Sequence, residues 1–225
     1  MPAAAPCLAI ETATDRAGVA LGGGERVFTC ESTAGAVPSR LVYRWIEAVL
    51  ATARCTLDDL GAVAFGAGPG SFTGVRVAAA VAQGLGYARG LPVWQVSSLA
   101  ALAAAALRRS GMRHAVVALD ARMGGLYVGE YARDVAGRLR AVRPDRLIDA
   151  QVRFEPLGGE VVAAGPGFAV APGLLAGAAP AGGVWPALLP GAADLLAVAR
   201  DEPALRTVVA PAAALPNYLR ERVTR

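Results

Sequence analysis

The stretch richest in chemical content is Gly66-Ala-Gly-Pro-Gly-Ser-Phe-Thr-Gly-Val-Arg76, between the apolar run Ala62-Val-Ala-Phe65 and a helical pattern. Glycines between a strand and a helix let the backbone approach a ligand closely. Ser71 or Thr73 can cap the helix, and the first-turn N–H groups, with Gly68 and Gly70, can hold a phosphate or carboxylate. The same residues equally build a tight structural turn with a satisfied cap, and local sequence does not choose between the two. Two acids, Glu11 and Asp120, end the apolar runs Leu8-Ala-Ile10 and Ala115-Val-Val-Ala-Leu119. Facing each other across a cleft, such carboxylates can hold Mg²⁺ through water or position a nucleotide. For Asp120 the favoured reading is capping of the next turn, with Arg122 as a local ion partner.

Other chemistries fail on inspection. All 22 basic residues are Arg, which excludes a phosphate-loop lysine, a Schiff base or a lysine nucleophile. The dinucleotide fingerprint would need glycine at Ser71, and a nucleophile elbow would need glycine at Pro69. The one histidine, His114, sits at the expected edge of a strand and reads as a surface residue rather than a general base. Cys7, Cys30 and Cys55 are widely spaced without a C-x-x-C, and with one His they cannot build the usual tetrahedral zinc site. They read as buried, reduced thiols. No catalytic residue and no metal-ligand set is assigned.

The positioning elements follow from periodicity. Leu8 to Thr12, Ala17 to Leu21 and Arg26 to Cys30 read as strands of a hairpin-type start, with Gly22-Gly-Gly24 as a turn. Helices are expected over 38–54, 72–89 and from Ser97 or Ser98 to about Arg109, alternating with strands 62–65 and 93–96. This is an α/β pattern with a mostly parallel sheet. From His114 the pattern restarts: strand, acid, polar turn, strand, then Val161-Val-Ala-Ala-Gly-Pro-Gly167, echoing the earlier Gly-Pro-Gly. An internal duplication is expected, with a first lobe at 1–109 and a second at 110–225 whose last helix, about 211–225, returns to the first.

With 225 residues, 55% hydrophobic and a net charge of +4, the chain can bury a large core and carries only a weak basic bias. The 33 uncharged residues from Val161 to Ala193 are broken by five prolines and do not read as a membrane span. With no signal-peptide pattern at the N-terminus, a soluble protein is expected. Gly74, Ala78, Ala82 and Gly86 lie four apart on helix 72–89, and Leu41, Trp45 and Val49 lie on the apolar arc of helix 38–54. Either set can pack inside the subunit or dock a partner. The arginines from Arg138 to Arg153 read as solvated turns; no aromatic residues interleave with them, which argues against tRNA binding by this chain alone.

Leu8-Ala-Ile-Glu-Thr-Ala13, the Gly66–Arg76 segment, Val96-Ser-Ser-Leu99, Leu119-Asp-Ala-Arg-Met123, Tyr127, Glu130-Tyr131 and Pro216-Asn-Tyr-Leu-Arg220 occur in this order. Together they resemble the bacterial TsaB (YeaZ) family of tRNA threonylcarbamoyladenosine biosynthesis proteins, over nearly the whole chain. The resemblance implies a two-lobed actin-like or Hsp70-like ATPase (ASKHA) fold with duplicated mixed-sheet lobes. It implies a non-catalytic paralogue of TsaD, the subunit that transfers threonylcarbamoyl to the adenosine following the anticodon. Such a chain pairs with TsaD through first-lobe helices, helps recruit the ATPase TsaE, forms a homodimer when alone, reaches tRNA only through the complex, and works in the cytoplasm. No cofactor is required; ATP or ADP with Mg²⁺ would meet Gly68, Gly70, Ser71, Thr73 and Glu11. The sequence departs from relatives in having Gly35-Ala-Val-Pro-Ser39, without a histidine, before the first long helix. The rivals are a small-molecule kinase or acyl-transfer ATPase using Glu11 and Asp120, and a peptidase, which lacks a nucleophile–base pair or metal cluster here. With the stripe as the docking face, Ala78→Arg or Ala82→Glu is expected to weaken partner binding and leave the fold intact.

Overall fold

Strand β1 (Cys7–Glu11) alternates small and large side chains, and the pleat sorts them onto opposite faces. Cys7 and Ala9 point toward the middle of the molecule, Leu8 and Ile10 outward beneath two helices. The computed structural model describes residues 5–32, 38–176 and 179–219. In it β2 (Ala17–Gly22) and β3 (Val27–Ser32) run antiparallel on one side of β1, while β4 (Ala62–Gly66) and β5 (Val93–Val96) extend the sheet in parallel on the other. A second sheet repeats this plan. Strands β6 (His114–Asp120), β7 (Gly125–Arg133) and β8 (Leu139–Asp149) are antiparallel neighbours, and β9 (Val162–Ala164) and β10 (Val184–Trp185) add in parallel beyond β6. The orders 5-4-1-2-3 and 10-9-6-7-8 are the same, so the duplication is present in the topology. A last strand, β11 (Arg206–Val209), closes the first sheet antiparallel to β5.

Helices α1 (Pro38–Ala53) and α2 (Phe72–Arg89) cover the outward face of the first sheet. Ser71 caps α2 at its start, and Gly90 ends it in the left-handed conformation that glycine adopts without steric cost. Helix α3 (Ser98–Ser110) follows the first sheet but packs on β6, β7 and β9 of the second. After the short α4 (Gly167–Val170), helix α5 (Ala192–Asp201) follows the second sheet but packs on β1 and β2 of the first, and α3 and α5 touch each other. The two helices therefore form a shared layer between the sheets. Every residue from Ser98 to Leu107 is buried, and seven of these ten side chains are Ala or Ser. The same core holds the small first-sheet residues Ala9, Ala62 and Ala64 and, from the second sheet, Ala115 and Ala164 beside the larger Val117, Leu119 and Val162. Small side chains on α3 and on the inward face of the first sheet let two sheets close on one helical layer at native density.

Charged groups pin this layer at its edge. Asp194, 1% exposed in the first turn of α5, is 2.6 Å from Arg108 of α3 and 3.8 Å from Arg16. Glu31 of β3 accepts the Ala192 N–H at 2.8 Å, capping α5 from another strand, and pairs with Arg16 at 2.6 Å.

Three expectations need correction. The chain returns to the first lobe at Ala192 rather than at 211, because α5 and β11 both belong against the first sheet. The expected terminal helix is a single 3₁₀ turn, Pro211–Ala213, followed by irregular backbone through 219; residues 220–225 lie outside the described residues. Arg140, Arg143 and Arg146 sit on the 11-residue strand β8, not in turns. Of the cysteines, all free, only Cys7 is fully buried. Among the described residues no helix is long and apolar enough to cross a membrane.

The close helical layer leaves no room for added methylenes. Ala103→Leu is expected to lower the unfolding free energy by about 1–3 kcal/mol in urea denaturation. The exposed Ala80→Leu should stay within about 0.5 kcal/mol of the parent.

Candidate functional site

Glu11, at the end of β1, is fully buried. Its Oε1 accepts the Ala13 N–H at 2.8 Å and its Oε2 accepts the Ser98 hydroxyl at 2.8 Å. Burial pushes this carboxyl up from 4.5 to about 7, against the opposing pull of the hydrogen bonds. The turn that follows is stitched to the start of α2. Ser71 N–H donates to Ala13 O at 2.7 Å, and the Thr12 hydroxyl donates to Gly74 O at 2.7 Å. A Cβ at Gly74 would stand 1.9 Å from Thr12 O, so this approach requires glycine. The Gly68–Pro69 peptide is cis.

These two turns form one wall of an interlobe cleft of about 610 Å³. Thr14, Asp15, Gly70, Ser71 and Phe72 line it from the first lobe, and Asp120, Arg122, Met123, Tyr127 and Val170 from the second. Asp120 Oδ1 accepts the Arg122 N–H at 2.7 Å, and its Oδ2 lies 3.1 Å from the Arg122 guanidinium. The turn-capping reading of Asp120 thus holds. Arg122 and Met123 have φ of 60° and 53°, a left-handed turn that costs non-glycine residues on the order of 1–3 kcal/mol each. The turn sets both side chains at the cleft mouth. Tyr218 supplies a third wall: Arg76 lies 3.4 Å over the Phe72 ring and its Nε donates to the Tyr218 hydroxyl at 2.9 Å. Asn217 N–H donates to Ala67 O at 2.7 Å, which ties the same segment to the Gly-Pro-Gly loop.

The expected ligand residues are only partly brought together. Gly70 and Ser71 line the cleft, Gly68 lines a neighbouring cavity of about 390 Å³, Thr73 is exposed on the first turn of α2, and Glu11 is sealed beneath. Phe72, Met123, Val170 and Tyr218 are each about half exposed or more, so the cleft mouth is largely apolar. As a set the five residues do not fit a Mg²⁺-nucleotide, since the acid is occupied internally and Thr73 and Gly68 lie outside the cleft that Gly70 and Ser71 line.

The expected partner stripe is corrected outright. Ala78 and Ala82 are 0% exposed, and Gly74 and Gly86 are buried. The small residues let α2 lie close on its own sheet; a Cβ at Gly86 would meet Val93 at 2.6 Å. Trp45 and Val49 of α1 are also buried in this core and Leu41 is half-buried. What α1 and α2 present outward is Arg40, Tyr43, Arg44 and Glu47, with Ala80, Gly84 and Tyr87, the last 84% exposed. His114 is corrected too: it is mostly buried, with Nε2 2.9 Å from Glu130 Oε1. Sequence reasoning passed over Asp15, Met123 and Tyr218 as cleft residues. The latter two fall inside the DARM and Pro-Asn-Tyr segments, which were a signal that these segments share one site.

The family model for tRNA N6-adenosine threonylcarbamoyltransferase, TsaD, matches residues 38–149. The Escherichia coli tRNA threonylcarbamoyladenosine biosynthesis protein TsaB is 35% identical over 96% of this chain and 95% of its own. The chain belongs to the TsaB family. The Haemophilus influenzae TsaB is 40% identical over 56% of this chain and 54% of its own. The solved YeaZ of Pseudomonas aeruginosa superposes with a TM-score of 0.87 at 33% identity, covering 96% of this chain and all of that one. The two-lobed ASKHA-type fold is thus that of a TsaB-family relative. Among the described residues no group of three or more His, Cys, Asp or Glu side chains is arranged to hold a metal ion.

Glu11 makes a pH prediction. Its folded pKa is raised, so its contribution to stability is fully present below about 4.5 and is lost as pH rises through about 7. Between these values the parent chain should lose about 3 kcal/mol relative to Glu11→Gln, from 1.36 kcal/mol per pKa unit. Urea midpoints measured across pH 4.5–8 check this; parallel curves for the two chains would contradict it.

Proposed function

We propose that this chain serves the formation of threonylcarbamoyladenosine in tRNA as a non-catalytic subunit. It pairs with a TsaD-type transferase, helps recruit the TsaE-type ATPase, and meets tRNA only through that complex, in the cytoplasm. The role requires no cofactor on this chain. The observation that carries the reading is Glu11: the strand-end acid suited to Mg²⁺-nucleotide chemistry has both oxygens engaged inside the protein, by Ala13 and Ser98. Its work is to hold the cleft turn and α3 together.

The docking surface is the outward face of α1 and α2, within the region matched by the TsaD family model. Ala80 and Gly84 leave a shallow strip along α2, with open space above Gly84, and Tyr43 of α1 and Tyr87 of α2 are both exposed. Small residues admit a partner helix closely, while exposed aromatic rings supply anchoring area. The same face serves a homodimer when no partner is present. The rival, a small-molecule kinase or acyl-transfer ATPase using Glu11 and Asp120, keeps only Asp120 of that pair in the cleft wall, where Asp15 also lies.

Light scattering on eluted fractions of the chain mixed with the TsaD of the same source is expected to show a 1:1 complex. Gly84→Arg should weaken that complex at least tenfold with an unchanged circular dichroism spectrum. Ala78→Arg, aimed at the buried stripe, should lose the fold. No complex at micromolar concentration, together with ATP turnover by the isolated chain that disappears in Asp120→Asn, would replace this reading with the kinase.

A further inference from the structure

Two adjacent serines open α3, and each binds a carboxylate from a different lobe, buried Glu11 and half-buried Asp145. Ser98 donates to Glu11 of the first sheet at 2.8 Å. Ser97, the residue after β5, donates to Asp145 Oδ2 on β8 of the second sheet, and Tyr131 of β7 donates to Asp145 Oδ1 at 2.6 Å. Neither the cleft nor the docking face uses Asp145, yet the second sheet is locally remade to present it. Val128 faces Arg146 and Glu130 faces Arg143, so Gly129 alone opposes both Pro144 and Asp145. This is a β-bulge, and bulges re-aim side chains. Pro144 has no N–H for a ladder, which suits the unpaired position. A Cβ at Gly129 would stand 2.6 Å from Asp145 Oδ1, so the glycine opens the space the carboxylate occupies.

The donors and acceptors leave little freedom. The Ser97 oxygen already accepts the Leu99 N–H at 3.1 Å and the Ala100 N–H at 3.3 Å, as the cap of α3. Its single hydroxyl proton is therefore committed to Asp145. Asp145 receives donors on both oxygens, which an ionised carboxylate satisfies and an amide can match only by reversing one of the two hydrogen bonds. The cleft walls hang on the same two residues. Ser98 N–H donates to Gly68 O at 2.9 Å, tying the Gly-Pro-Gly wall to α3. Tyr127, in the opposite wall, is on the same strand as Tyr131.

We propose that Asp145 is a positioning residue whose clasp on Ser97 sets the angle between the lobes and so the width of the interlobe cleft. The inference stands apart from the choice of partner, because it concerns the geometry of the chain alone.

The test is the distance across the cleft in the full chain. Nitroxide labels at Thr73→Cys on α2 and Val170→Cys on α4, with Cys30→Ser and Cys55→Ser, are read by pulsed dipolar spectroscopy. The parent should give one narrow distribution, and Ser97→Thr, which keeps cap and proton, should reproduce it. Asp145→Asn leaves the cap in place but turns one of the two clasp acceptors into a donor and removes the charge; its distribution should shift by several ångströms or broaden at least twofold, with an unchanged far-ultraviolet spectrum. Ser97→Ala should do the same and Tyr131→Phe should have a smaller effect. A parent-like distribution in both Asp145→Asn and Ser97→Ala would overturn the proposal. Where Asp145→Asn does not fold, parent-like distances in both Ser97→Ala and Tyr131→Phe would overturn it.

Discussion

Two sheets share one layer of helix, and that steric constraint governs the rest of the molecule. Because α3 packs on the sheet it does not follow, and α5 on the sheet before the one it follows, neither helix has a solvent side of ordinary width. A helix enclosed on all faces gains little from amphipathicity and must be apolar all round. Here the solution is alanine, with first-sheet strands whose inward residues are mostly small and whose outward residues are mostly Leu, Ile, Val and Phe. The large side chains of the first sheet lie in the outer core under α1 and α2.

An alanine layer offers close contact but little shape to fix register. The polar groups at its margins supply direction instead. Glu11, Asp145 and Asp194 each reach one of the layer's helices from a different side, and each is met by hydroxyls, an amide or arginines. Burying such groups costs desolvation that their partners offset only in part, so they contribute less to stability than to specifying one arrangement. Glu130 plays a comparable part away from the layer, where His114 and Arg143 approach it and the Leu157 N–H donates to it at 2.6 Å, holding down the loop after β8.

Much of the framework was legible in the residues. The hairpin start, α1, α2, the Gly-Pro-Gly junction and the repeated strand–acid–turn–strand all carry periodicity or turn chemistry strong enough to stand alone. Orientation was not legible. Helix α2 carries two small-residue strips, Gly74–Gly86 and Ala80–Gly84, and the sequence pattern does not say which faces its own sheet; the burial of Ala78 and Ala82 decides it. Strand β8 escaped because the bulge at Pro144-Asp145 shifts the alternation midway and arginines occupy its exposed positions. Asp145 escaped with it, since a carboxylate aimed inward by a bulge looks, in sequence, like one more charge on a polar segment. The return of α5 and β11 escaped because nothing local to them records which sheet they will meet.

The exchange of α3 and α5 also bears on how the chain is made. As synthesis proceeds from the N-terminus, the first sheet lacks both α5 and its edge strand until residues beyond 209 have left the ribosome. Until α5 is made Ala9, Ala20 and Ala64 face no helix of their own, and until β9 is made α3 has no complete second sheet to lie on. Contacts between β1 and α5 join residues nearly two hundred positions apart, and loops of that length close late. Neither lobe can mature as an independent folding unit, and a nascent chain cut between them carries two incomplete cores rather than one finished domain. The two-lobed appearance is a matter of architecture; in folding, the chain is one cooperative body.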